Sequence, residues 1–229
     1  MSPYICTMKE QVESLKDAQC VIFDMDGVII DSEFIHKKAY YDTFRSLGLD
    51  VPETLYKTTT GSSTLNAFQK IVEHYDLDED PKELVARKRK FFIDYFHNDP
   101  SLKLVEGVED IIKYFHKKGK TLVLASSASM PNIDRVFDRF ELNPYFSAKI
   151  SGADLKESKP HPEIFEKAAS LGNASRENCI IIEDSDNGIT AANKAGIFVF
   201  GYANPMCCDQ TLKNANLVIN EFSEMKEFI

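Results

Sequence analysis

Asp24-Met25-Asp26-Gly27 sets two carboxylates two residues apart, directly after the apolar run Val21-Ile22-Phe23. On an extended strand, alternate residues face the same side. The two acids then share one spot and repel unless a positive charge lies between them. Metal-assisted chemistry needs that arrangement. A plain hairpin explains the same letters, because Asp26-Gly27 also separates the apolar runs Val21-Ile22-Phe23 and Val28-Ile29-Ile30. This segment alone leaves both readings open.

Other chemistry-bearing residues follow later apolar runs. Ser126 and Ser127 close Thr121-Leu122-Val123-Leu124-Ala125. Glu183 and Asp184 close Cys179-Ile180-Ile181-Ile182. Between them, Glu157-Ser158-Lys159-Pro160-His161-Pro162 places a lysine at a helix entrance. Taken one at a time, each has a bland explanation. The serines suit helix N-caps, Lys159 a solvated loop, and Glu183-Asp184 a solvated strand end. Together they form a set of hard oxygen ligands for Mg²⁺ beside a lysine and hydroxyls suited to a phosphate dianion. Backbone N–H groups at Gly27 and at the helix after Ser126 could complete the cradle.

The elements that must position this set alternate. Strands are expected at 121–126, 148–151, 179–184, 197–201 and 217–219. Helices are expected at 109–118, 130–141, 162–171 and 188–194, several ending at glycines such as Gly119, Gly172 and Gly196. The strands are short and continuously apolar, as when both sheet faces are covered. This predicts an α/β fold: a doubly wound, Rossmann-like parallel sheet core. In such sheets ligands bind beyond the carboxyl ends of the strands.

Residues 34–99 differ. They hold no convincing strand but three helical stretches, 34–47, 64–75 and 81–96, the last with the basic run Arg87-Lys88-Arg89-Lys90. A small helical domain over 34–99 is therefore expected, inserted after the first strand of a core made of 1–33 and 100–229. The basic run also suits a solvated helix face.

The 229 residues carry a net charge of −9, which argues against nucleic acid and anionic membranes as partners. No apolar run is long enough to cross a bilayer. The polar N-terminus reads as a short helix or arm, without the apolar core of a signal peptide. Five cysteines, with no CxxC spacing, suit a reducing cytoplasm. Cys20 and Cys179 open strands and are expected to be buried; Cys207 and Cys208 are adjacent in a loop.

The chain resembles the haloacid dehalogenase superfamily, within it the β-phosphoglucomutase-like group with a helical cap. Four segments carry the resemblance in the family's order: Asp24-Met25-Asp26-Gly27-Val28-Ile29-Ile30-Asp31-Ser32-Glu33; Leu124-Ala125-Ser126-Ser127; Ser158-Lys159-Pro160-His161-Pro162-Glu163-Ile164-Phe165; and Ile182-Glu183-Asp184-Ser185-Asp186-Asn187-Gly188-Ile189. In that family a small hairpin-like flap follows the first strand end, so both readings of the opening segment hold. The resemblance implies Asp24 as the nucleophile that forms an aspartyl phosphate and binds Mg²⁺. It implies Asp26 as general acid–base, its backbone carbonyl on the metal. Ser126, Ser127, Lys159 and Gly27 would bind phosphate, and Glu183 and Asp184 would complete the metal shell.

The resemblance also implies two outcomes. Water attacking the aspartyl phosphate gives a phosphatase; a sugar hydroxyl gives a phosphohexomutase. His36 stands where the mutase group has a histidine. Thr64 stands where that group has an arginine after a glycine. Ser32, His36 and Arg89 are the candidate substrate contacts of the cap and linker. The expectation is a monomeric Mg²⁺-dependent phosphatase of small phosphorylated metabolites, with a mutase second. A dehalogenase would need neither Asp26 nor a metal. A phospho-receiver module is a further alternative, disfavoured by the DxDG spacing and the helical insert.

Overall fold

The computed structural model describes residues 15–59, 64–205 and 210–229. Cys207, Cys208, Gly61 and most of the N-terminal arm lie outside them. The chain divides into two compact units, Met1–Asp31 with Leu104–Ile229, and Ser32–Lys103. The helical unit takes in Ser32, Glu33 and Pro100–Lys103 beyond the expected 34–99.

The first unit is built on a six-stranded sheet of β1 (Cys20–Phe23), β4 (Thr121–Ser126), β5 (Ala148–Ser151), β6 (Cys179–Glu183), β7 (Phe198–Tyr202) and β8 (Leu217–Ile219). Its order is β5-β4-β1-β6-β7-β8, and each of its strand pairs is parallel. A separate two-stranded ribbon pairs β2 (Ile30–Asp31) with β3 (Lys103–Leu104). From β1 the sheet grows through β4 and β5 on one side and through β6 to β8 on the other. The direction reverses around β1, so the carboxyl ends of β4, β1 and β6 frame the place where such sheets bind ligands.

Alternate strand residues point to opposite faces, and both faces are covered. Ile22, Val123, Ile181 and Val199 pack with Ile164, Phe165 and Ala168 of α7 (Glu163–Leu171) and with Ile189 and Ala192 of α8 (Asp186–Ala195). Val21, Phe23, Leu122, Leu124, Ile180 and Ile182 are equally buried. Burial on both sides explains why these strands read as unbroken apolar runs. Cys20 and Cys179 are register partners in the core, buried as expected. Among the described residues, this unit also contains the α-helices α5 (Val108–Lys117) and α6 (Met130–Arg139).

The helical unit contains α1 (Glu33–Ser46), α2 (Glu53–Lys57), α3 (Thr64–Tyr75) and α4 (Pro81–Asn98). Phe44, Val51, Tyr56, Phe68, Ile71 and Leu84 form its core. Asp80 caps α4 by accepting from the Lys82 N–H at 2.9 Å, with Pro81 in the first helical position. The short α2 falls in a stretch read as having no element. At five residues it carries too little periodicity to be seen.

Candidate active site

The register sets Phe23 of β1 opposite Leu124 of β4 and Ile182 of β6. One residue further on, Asp24 and Glu183 stand at neighbouring strand ends, and the Asp24 N–H donates to the Ile182 carbonyl at 3.0 Å. Asp24, Glu183 and Asp184 are each less than a tenth exposed. One carboxylate oxygen from each lies within 4.8 Å of the others.

Lys159 reaches into this cluster from the loop before α7. Its Nζ lies 2.6 Å from Asp24 Oδ1 and 2.8 Å from Glu183 Oε1, and donates to the Ala125 carbonyl at 3.2 Å. Two carboxylates thus contact one ammonium, and a third, that of Asp184, clusters with them. Burial pushes Asp24 up to about 7, outweighing the pull of Lys159, with Glu183 adding to the rise. Asp184 is also raised, by burial first and then by Glu183 and Asp24. Burial alone would lower Lys159, but Asp24 and Glu183 hold it raised and charged. Both aspartates resist ionisation, first because they are buried and then because negative charge is in excess. A divalent cation would correct that excess, and three converging carboxylate oxygens are the donors a hard cation takes. The residues present therefore fit a metal ion of the Mg²⁺ class.

Two glycines make this packing possible. A Cβ at Gly188 would collide with the Glu183 carboxylate, and one at Gly27 with that of Asp184. Glu183 is held back over the start of α8 by Ser185, whose N–H and Oγ both donate to Glu183 Oε2 at 2.9 Å. Ser185 was read only as a neighbour of the acids. Its place as residue two after the glutamate, at the N-cap of α8, was the available signal.

The segment after Asp24 is a tight turn. The N–H groups of Val28, Ile29 and Ile30 all converge on the Met25 carbonyl, and the Gly27 N–H donates to the Ile30 carbonyl at 2.8 Å. Gly27 takes φ +82°, a left-handed conformation that favours glycine. Asp26 bridges to Ile30 and is half-buried. Its carboxylate is not one of the three whose oxygens lie within 4.8 Å of one another.

Ser126 ends β4, is buried, and accepts from the Ala128 N–H at 3.0 Å through Oγ. Ser127 is exposed, and neither serine caps α6, whose N-cap position is Ser129. Gly152 lets the backbone pass close: a Cβ there would stand 3.1 Å from Ser127 Cα.

In the helical unit, two neighbours of the basic run differ in burial. Arg89 is exposed, whereas Lys88 is buried. Lys88 Nζ lies 2.8 Å from His36 Nδ1, and His36 stacks on Phe92 with ring centroids 4.3 Å apart. Burial first, and the Lys88 charge second, lower His36 to about 3, so it is neutral and accepts from the ammonium. Leu84, Lys88 and Phe92 recur at four-residue spacing, which was the sequence signal that Lys88 belongs to the apolar face. Ser32 is buried at the N-cap position of α1. The Thr64 hydroxyl, at the position of the expected arginine, hydrogen-bonds Tyr40.

Comparison with known proteins places this geometry. The family of haloacid dehalogenase-like hydrolases matches residues 21–202. An uncharacterized protein of Haemophilus influenzae is 33% identical over 79% of this chain and 88% of its own length. A phosphorylated carbohydrates phosphatase of Thermotoga maritima is 27% identical over 87% of this chain and 92% of its own. Among solved structures, the β-phosphoglucomutase of Clostridium difficile aligns at 27% identity with a TM-score of 0.68, covering 90% of this chain and 92% of that one.

Proposed function

The chain belongs to the haloacid dehalogenase-like hydrolases, and from that premise we propose that it is a Mg²⁺-dependent phosphatase of small phosphorylated sugars, acting through an aspartyl phosphate on Asp24. The observation that carries this reading is the buried Asp24 carboxylate, 2.6 Å from the Lys159 ammonium and clustered with Glu183 and Asp184. The similarity to a phosphorylated carbohydrates phosphatase supports the substrate class. The negative charge supports an enzyme that meets neither nucleic acid nor anionic membrane, and the free Cys20 and Cys179 support a reducing cytoplasm. No helix among the described residues is long and apolar enough to cross a membrane.

Asp24 attacks phosphorus while the bond to the sugar oxygen breaks. The departing oxygen takes a proton from Asp26, and the phosphoryl group stays on Asp24. Water then attacks that group and gives its proton to Asp26, releasing inorganic phosphate and restoring both carboxyls. Lys159, Ser126 and the backbone at Ser127 hold the transferring oxygens; the Gly27 N–H, expected among them, is taken by the Ile30 carbonyl. The carboxylates of Asp24, Glu183 and Asp184, with the Asp26 carbonyl, would hold Mg²⁺, which neutralises repulsion between carboxylate and phosphate dianion.

A phosphohexomutase is the second reading. The buried pair His36 and Lys88 favours it, because it gives the helical unit a fixed cation suited to a sugar phosphate. A panel of phosphate esters with Mg²⁺, including β-glucose 1-phosphate with a bisphosphate primer, separates the two. Free phosphate without glucose 6-phosphate is the expected result. Accumulating glucose 6-phosphate without phosphate release would overturn the phosphatase reading. Asp24→Asn removes the nucleophile and abolishes turnover of every ester; substantial residual activity would contradict its assignment.

A further inference from the structure

Gly27, the residue after Asp26, is held from outside its own turn. Asn204 lies just beyond β7 and is buried. Its Nδ2 donates to the Gly27 carbonyl at 2.9 Å, joining positions 177 residues apart. Inside the turn, the Gly27 N–H is already fixed on Ile30. The side-chain amide of Asn204 therefore fixes the other side of Gly27, the peptide that follows it.

The segment carrying Asn204 is itself anchored. The Asn204 N–H donates to the Tyr202 carbonyl at 2.9 Å. Further along, Asp186 of α8 accepts from the Leu212 N–H at 2.9 Å and from the Thr211 hydroxyl at 3.1 Å. The Asp186 N–H in turn donates to the Gln210 side chain at 2.8 Å. The donor facing Gly27 is thus tied to the sheet at Tyr202.

A buried carbonyl that loses its donor is left unsatisfied, so its peptide turns to find another. Turning the peptide after Gly27 moves the backbone of Asp26, one residue away. We propose that Asn204 is a positioning residue for Asp26, setting the carboxyl at the distance and angle at which it protonates the leaving oxygen. This rests on the reading of Asp26 as the proton donor. In that step the phosphorus–oxygen bond to the substrate breaks, the bond to Asp24 forms, and the proton passes from Asp26 to the departing alkoxide.

The test compares two leaving groups. A sugar phosphate needs the proton; para-nitrophenyl phosphate releases a stable phenolate without it. Values of kcat/KM are measured for the wild-type chain, Asn204→Ala, Asn204→Asp and Asp26→Asn on both esters. Asn204→Asp keeps the shape while removing the donor, and serves if the alanine variant fails to fold. We expect each Asn204 variant to lose about tenfold or more on the sugar phosphate and less than about threefold on the aryl ester, a part of the full general-acid contribution. A general loss of structure lowers both equally, and equal losses would overturn the inference. If Asp26→Asn discriminates between the esters and the Asn204 variants do not, the positioning inference alone fails. If Asp26→Asn does not discriminate, the reading of Asp26 fails and the inference with it.

Discussion

Glu183 occupies the space that a side chain at Gly188 would fill, so its carboxylate rests on the first turn of α8. Gly188→Ala must push that carboxylate out of its place beside Asp24 and Asp184. Displacing a ligand's support typically costs about 10–100-fold in metal affinity. The Mg²⁺ concentration for half-maximal turnover should rise accordingly, with activity recovering at high Mg²⁺. Chelation with EDTA should stop the wild-type enzyme, and added Mg²⁺ should restore it. A Gly188→Ala enzyme with an unchanged Mg²⁺ curve would refute the role given to Glu183.

Among the described residues, Lys159 is the cation paired with both Asp24 and Glu183. Lys159→Met keeps much of the volume and removes the charge. Loss of one such electrostatic partner lowers turnover by about 10²–10³-fold. Phosphate ester hydrolysis at saturating Mg²⁺ measures it. A loss of less than about tenfold would mean that Lys159 serves packing rather than the transferring phosphoryl group.

His36 gives the helical unit a pH-dependent stability. Folded, it is lowered to about 3; unfolded, it titrates near ~6.5. Between those values the unfolded chain binds a proton that the folded chain refuses. The stabilising effect of the neutral ring is therefore complete above about pH 6.5 and falls by about 1.4 kcal/mol per pH unit below it. His36→Gln should show a flatter dependence of urea midpoint on pH between pH 5 and 7. Identical slopes in the two proteins would contradict a buried neutral ring.

Ile181 lies in the middle of β6 with no exposed surface and packs in the core between sheet and helices. Ile181→Ala should destabilise the core unit by about 2–5 kcal/mol, through lost burial and the cavity left behind. Urea denaturation measures this. Turnover per folded molecule should stay near that of the wild type, since the residue touches no reacting group.

Much of this was legible in the residues. The strands at Thr121–Ser126, Ala148–Ser151 and Leu217–Ile219 begin and end where their apolar runs do. The acids at the ends of β1 and β6 converge because parallel register leaves them no other place. Helix ends were one or two residues off. Val108 and Asp186 fall inside helices although their flanking residues suggested loop. The basic run was harder: four like charges in a row look solvated, and only the four-residue spacing of Leu84, Lys88 and Phe92 turns one inward. Asn204 left no local mark. Its partner Gly27 is at the other end of the chain, and such a contact is fixed by the path of the sheet.

The central position of β1 also orders events during synthesis. Cys20–Phe23 is made before both of its neighbours, Thr121–Ser126 and Cys179–Glu183, which come after the whole of Ser32–Lys103 has been translated. The nascent chain carries an unpaired apolar strand out of the ribosome while the helical insert is already complete in sequence. Pairings this distant form slowly and leave strand edges open to aggregation. The strand that leads into Asp24 is thus made well before the strands that shelter it.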